Sequence, residues 1–300
     1  MINQKKYFLK KLQKAQEQGK IHNIDFYCCT LLIPNAPSEI KLIILYLSYA
    51  IHWGHSCLPV KLFKKKFFLE KKDSFIKYLW SSIIHTKSWF QCILKSKFCS
   101  NGSIVTPLVF QKEKIYLYRY WNSERKIINF IIHHQEITDQ KIKKYRILFK
   151  KYCTKNIDKV QKIAIGVMLL NNISFILGGP GTGKTSIITY LILLLIKSTK
   201  KNINIQLTAP TGKAASRITE VVYQKLSTKN LTVKEKRFLP KKGITLHRLF
   251  NIQKNTNEIH SYKYIKKKIS NIDLLIIDEA SMIDLYMMEN ISNIIQKKQK

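Results

Sequence analysis

Ile173-Ser-Phe-Ile-Leu-Gly-Gly-Pro-Gly-Thr-Gly-Lys-Thr185 runs from a short apolar stretch through a Gly-rich turn into a helical pattern. The reading of that junction decides the fold. Residues Gly178, Gly179, Pro180, Gly181, Thr182, Gly183, Lys184 and Thr185 satisfy G-x-x-x-x-G-K-[ST] between a predicted strand (173–177) and a predicted helix (about 184–199). Glycine lets the backbone curl until successive N–H groups face phosphate oxygens, and the start of the helix adds its dipole. Lys184 then reaches the β- and γ-phosphates of ATP, and the Thr185 hydroxyl binds Mg²⁺. The alternative is a chance Gly-rich turn. Of the ten glycines in the chain, four lie within six residues here, which marks a backbone demand.

On either side of this junction strands and helices alternate. Residues 158–172 read as an amphipathic helix with Asp158 near its start. A strand at 203–209 leads through Pro210-Thr211-Gly212 into a helix ending near 225, and Asp273–Ile277 is a further buried strand. Uninterrupted apolar strands alternating with helices predict an α/β domain whose parallel sheet is covered on both faces. The first half has a different texture. Residues 39–53 have helical spacing after Pro37 and Ser38, with Ser38 a candidate N-cap; 103–121 read as two short strands with Gln111-Lys-Glu-Lys114 as the turn; 124–151 read as helical. The expected division is a smaller, mainly helical domain over 1–150 and the α/β domain over 151–300.

Lys and Arg number 53 against 18 Asp and Glu, a formal charge of +35. Such a field favours polyanions, either nucleic acid or an acidic membrane surface. However, 47 of the basic residues are Lys, and an excess of Lys, Ile and Asn is equally what compositional drift in an AT-rich genome leaves. Six dispersed cysteines without a C-x-x-C pair, and a polar Lys-rich start, point to reduced thiols in the cytoplasm. The apolar run at 187–196 is far short of the roughly 20 residues of a membrane span.

A phosphate loop needs acids. The strand 273–277 ends in Asp278 and Glu279, suited to holding Mg²⁺ through water and to activating the attacking water. Their structural alternative is a pair capping the next helix. Gln161, 23 residues before Lys184, is placed to present its amide to an adenine edge, or is a solvated helix residue. Thr208-Ala-Pro-Thr-Gly-Lys-Ala-Ala215 places Thr211, Gly212 and Lys213 at a helix start, a cradle for phosphates of ATP or of a nucleic-acid backbone. Thr245-Leu-His247-Arg-Leu-Phe250 is similar, with a core histidine as the alternative.

GGPGTGKT, LTAPTGKAASRI, TLHRLF and IIDEASMIDL, in this order and spacing, resemble the first motor domain of the RecD family. Those proteins are superfamily 1 DNA helicase subunits of the bacterial RecBCD complex, exodeoxyribonuclease V. Gly54–Pro59 and Leu117–Trp121 also resemble stretches of that family's N-terminal domain. The resemblance implies a RecA-like ATPase fold after an N-terminal partner-docking domain. It implies ATP and Mg²⁺ as cofactors, single-stranded DNA and duplex ends as substrate, and RecB-like and RecC-like subunits as partners. Residue by residue, Gln161 is similar to the adenine-reading glutamine, Gly178–Thr185 to the phosphate loop, and Asp278 and Glu279 to the Mg²⁺ and water-activating acids. Thr211, Gly212, Lys213, Thr245 and His247 are similar to single-strand contacts. His52-x-x-His55-x-Cys57 falls in a stretch the family uses structurally, and no second ligand pair with zinc spacing lies nearby.

The sequence stops about twenty residues after the acid pair, before the family's later motifs and second motor domain. The expectation is one wall of an ATP cleft, either a fragment or a shortened gene product. Three readings stand: a 5′→3′ helicase subunit acting in double-strand-break repair and degradation of linear DNA, a non-helicase P-loop ATPase, and a non-catalytic remnant that docks on partners.

Overall fold

The computed structural model describes residues 2–61, 89–133, 139–153, 157–199, 202–240, 242–250, 269 and 271–296. The chain divides into two units, Met1–Arg125 and Lys126–Lys300.

The first unit opens with α1 (Ile2–Glu17), α2 (Asn23–Leu31) and α3 (Ser38–His52). Nearly every residue of α3 from Ile40 to Leu47 is buried, so this helix is the axis of the core rather than an amphipathic cover. Its cap differs from expectation. Pro37 occupies the N-cap position without a side-chain bond, and Ser38 is the first helical residue. Buried Asp25 fixes α2 to α3: Ser48 Oγ donates to Asp25 Oδ1, and His52 Nε2 lies 3.0 Å from the same oxygen. The His22 ring packs on His52 with centroids 4.7 Å apart.

Next come β1 (Cys57–Pro59), α4 (Trp89–Leu94), β2 (Cys99–Ser100), β3 (Leu108–Gln111), β4 (Lys114–Leu117) and α5 (Tyr118–His133). Among the described residues the sheet order is β1-β4-β3-β2, with β3 and β4 an antiparallel hairpin running from Leu108 opposite Leu117 to Gln111 opposite Lys114. The turn lies where the sequence placed it. Lys112 and Glu113 both have positive φ, 48° and 58°, as a two-residue primed turn requires. The second strand is shorter than expected. Tyr118-Arg-Tyr-Trp121 starts α5 instead, because the ladder ends at Leu117 and the Tyr118 N–H turns back to the Pro107 carbonyl.

The second unit contains α6 (Asp139–Tyr152), α7 (Lys159–Leu170), α8 (Lys184–Ser198), β5 (Ile205–Ala209), α9 (Gly212–Ser227), α10 (Val233–Lys236), β6 (Ile244–Thr245), α11 (Leu246–Leu249), β7 (Leu274–Ile277) and α12 (Leu285–Gln296). Asp158 caps α7 by accepting from the Val160 N–H. Among the described residues the strands pair in parallel in the order β6-β5-β7, with Leu207 opposite Ile276 and Thr208 opposite Ile244. Alternation along β7 sorts its side chains. Leu274 and Ile276 join the core beneath α8 and α9, whereas Leu275 and Ile277 join Met287, Ile291 and Ile294 of α12 on the other face. The sheet is therefore covered on both sides, as its apolar strands require.

One expected strand is missing. Residues 173–177 form no ladder; Phe175 is 59% and Leu177 93% exposed. Of this run, Ile176 is half-buried and packs against the core that α8, β5 and α9 build. No described helix is long and apolar enough to cross a membrane, and all six cysteines are free thiols.

Candidate functional site

Parallel pairing puts the carboxyl ends of β5, β6 and β7 along one edge, the edge at which open α/β sheets place their ligands. Thr211, Gly212 and Lys213 follow β5, Thr245 and His247 lie at the end of β6, and Asp278 and Glu279 follow β7. The Asp278 N–H donates to the Thr208 carbonyl, and Thr208 Oγ1 donates to the Ile276 carbonyl, 2.9 Å each. The acid pair is thus anchored to β5. Asp278 is half-buried and Glu279 exposed.

Glu279 has φ 52° and ψ 41°, a left-handed conformation costing a non-glycine residue about 1–2 kcal/mol. A short 3₁₀ turn, Ala280–Met282, starts immediately after it. Strain of this kind survives where the surroundings over-determine it, and it sits on the residue the sequence assigns to activating water.

The phosphate loop is built by glycine. Gly181 and Gly183 have φ of 77° and 86° with Thr182 between them, the alternation that turns successive N–H groups toward one side. Gly183 is the N-cap of α8, so the loop opens directly onto a helix start. Thr182 Oγ1 donates to the Gly179 carbonyl at 2.9 Å. Lys184 Nζ folds back over the loop and donates to the carbonyls of Gly178 and Gly179, both at 2.7 Å. Gln161 reaches the loop from α7, its Nε2 donating to the Thr182 carbonyl at 3.2 Å. A Cβ on Gly183 would lie 2.5 Å from that nitrogen. The structure therefore brings Gln161 onto the loop itself, and here its amide is engaged by backbone.

The second group of predicted residues only partly converges. Thr211 caps α9 by accepting from the Ala214 N–H, and Thr245 caps α11 by accepting from the Arg248 N–H. These hydroxyls are therefore committed to helix ends. Gly212 and Thr245 line one cleft of about 390 Å³ together with Ala215, Ser216, Lys242, Gly243, Ile244 and Arg248. Lys213 and His247 are exposed beside it and do not line it. Sequence reasoning missed Lys242, Ser216 and Arg248. The usable signal was Gly243, an isolated glycine in a Gly-poor chain, two residues before Thr245.

Comparisons with known proteins cover the same two regions. Residues 17–116 match the family model of the RecBCD enzyme subunit RecD, N-terminal domain, and residues 161–300 match that of an AAA domain. The chain is similar to the RecBCD enzyme subunit RecD of Buchnera aphidicola subsp. Acyrthosiphon pisum (strain APS). The two are 39% identical over 298 residues, 96% of this chain and 48% of that protein. The RecD subunit of Buchnera aphidicola subsp. Schizaphis graminum (strain Sg) is 38% identical over 292 residues, again 96% and 48%. That of Haemophilus influenzae (strain ATCC 51907 / DSM 11121 / KW20 / Rd) is 34% identical over 206 residues, 63% of this chain and 30% of the relative. The chain spans about half the length of the two Buchnera relatives.

Proposed function

Because the chain belongs to the RecD family, we propose that it carries the ATP-binding wall of a 5′→3′ DNA helicase subunit. In this reading it works in the cytoplasm in a RecBCD-like complex with RecB-like and RecC-like partners, in double-strand-break repair and degradation of linear DNA. The first unit, in place of the expected 1–150, docks on those partners, and the second unit, which takes in α6 as well as 151–300, forms the first RecA-like ATPase domain. The observation that carries the reading is the Gly178–Thr185 loop, with Lys184 Nζ held over it and Gln161 locked against it.

The residues present fit a nucleoside triphosphate with Mg²⁺. Phosphate oxygens compete for Lys184 Nζ against two neutral carbonyls, and a charge-assisted bond favours the phosphate. Lys184 then leaves Gly178 and Gly179 and neutralises the β- and γ-phosphates. Thr185 and Asp278 would hold Mg²⁺, which would supply stabilisation of the charge on the phosphates. Gln161 exchanges the Thr182 carbonyl for the adenine edge. Glu279, exposed beside the half-buried Asp278, accepts the proton of the attacking water at its carboxylate oxygen. Thr211, Gly212, Lys213, Thr245 and His247 lie on the track followed by single-stranded DNA.

ATP turnover measured with and without single-stranded oligo(dT) tests the reading. Stimulation by DNA supports the helicase subunit. Turnover indifferent to DNA favours a P-loop ATPase of another kind, and no turnover in either condition favours a docking remnant.

A further inference from the structure

Thr219 lies in the second turn of α9, outside every motif singled out from the sequence. Its hydroxyl donates to the Ala215 carbonyl at 2.7 Å and accepts from the Gly243 N–H at 2.9 Å, so both halves of its hydrogen-bonding capacity are used. Gly243 is buried, and no side chain fits there. A Cβ would sit 2.4 Å from the Ala215 oxygen and 2.5 Å from Thr219 Oγ1. Backbone thus crosses helix at an approach that only glycine permits, and Thr219 is the side chain that closes it.

Ala215 and Gly243, the two backbone partners of Thr219, both line the cleft of about 390 Å³ described above, and Thr219 itself lies behind that lining. One wall is the start of α9, with Gly212, Ala215 and Ser216; the other is the 242–248 segment, with Lys242, Thr245 and Arg248. Lys242 and Arg248 are exposed and face a lining that holds no carboxylate among the described residues. Two cations, a serine hydroxyl and a helix start suit the phosphodiesters of a nucleic-acid strand, which take most protein contacts without regard to sequence. A seat of that kind works only if its two walls keep a fixed spacing.

We propose that Thr219 is a positioning residue that staples the 242–248 segment to α9, holding Lys242 and Arg248 opposite Ser216 as a seat for backbone phosphates. The proposal rests on the nucleic-acid reading of this edge. Thr219→Val keeps the shape and removes the staple, while Thr219→Ser keeps the hydroxyl. Labelled oligo(dT) is titrated at several salt concentrations into the whole chain, and Mg²⁺ with a fluorescent ATP analogue is titrated in parallel.

Thr219→Val should bind oligo(dT) about tenfold more weakly, and its salt slope should fall by about one for each phosphate the chain no longer neutralises. Its affinity for the ATP analogue should stay within about twofold, and the Gly243 amide should lose its protection from hydrogen exchange. Thr219→Ser should keep the oligo(dT) affinity and slope of the unaltered chain. A Thr219→Val chain with unaltered oligo(dT) affinity and slope overturns the positioning role. So does a Thr219→Ser chain as weak as Thr219→Val. An unaltered chain that ignores oligo(dT) overturns the nucleic-acid reading itself.

Discussion

Gly183 leaves empty the space that Gln161 needs to reach the phosphate loop: a Cβ on Gly183 would lie 2.5 Å from Gln161 Nε2. The same glycine has φ 86° and caps α8, so one position serves a turn, a helix start and a contact with α7. This explains why the P-loop spacing and a glutamine 23 residues before its lysine belong together.

Gly183→Ala should therefore fail twice, through its left-handed backbone and through the clash. The backbone part costs about 1–2 kcal/mol. Affinity for Mg·ATP should drop by at least about tenfold. Adding Gln161→Ala should recover only the clash, and a double-mutant cycle in thermal unfolding would read a coupling between the two positions.

Glu279 combines a left-handed backbone with the proposed role of proton acceptor. Glu279→Gln should bind Mg·ATP as the unaltered chain does, and turnover in the assembled enzyme should fall by about 10² or more. Glu279→Gly should lose turnover likewise yet gain about 1 kcal/mol in unfolding free energy, because glycine adopts φ 52° without penalty. Stability rising while activity falls is the expected pattern at a strained functional residue.

The hairpin turn of the first unit has positive φ at Lys112 and Glu113, where Asn-Gly is the favoured pair. Lys112→Asn with Glu113→Gly should stabilise the chain by about 1 kcal/mol in denaturant unfolding. The Lys61–Glu113 ion pair removed by the exchange is exposed on both sides, 79% and 68%, and contributes little.

Glu235 gives a pH dependence. Burial works to raise its pKa, but Lys197, whose Nζ lies 2.7 Å away, and the Thr232 N–H hold the carboxyl below its ordinary value. A lowered acid contributes stability above its unfolded pKa and loses it as pH falls through the folded value. Glu235→Gln should consequently be less stable than the unaltered chain at pH 7, and the gap should close as both are acidified. A gap independent of pH would contradict the assignment.

Much of the second unit was legible because each segment carries its own signal. Asp158 before an apolar period gave the α7 cap, and the four clustered glycines gave the loop. The apolar run at 173–177 misled because it reports burial potential, whereas a strand needs a partner for its backbone. Among the described residues its backbone finds no such partner, although β7 is last in the order β6-β5-β7 and is paired with β5 along one edge alone; of the run, Ile176 packs against the core. Tyr118-Arg-Tyr-Trp121 misled for a related reason: aromatic residues favour strands intrinsically, yet the hairpin ladder ends one residue earlier. The left-handed Glu279 was invisible because no local residue type signals it, and the Thr219–Gly243 staple because it joins segments 24 residues apart. Helix α6 falls in the second unit although the sequence division was set near residue 150, because Tyr145, Leu148, Phe149 and Tyr152 pack with α7 and α8.

The central claim is that the Gly178–Thr185 loop binds a nucleotide through Lys184. Calorimetric titration of Mg·ATP into the chain and into Lys184→Ala tests it most directly. Alanine is well tolerated at the first residue of a helix, so the variant should unfold at nearly the temperature of the unaltered chain. The account predicts saturable binding to the unaltered chain and at least about a tenfold loss in the folded variant. Equal affinity in both would contradict it.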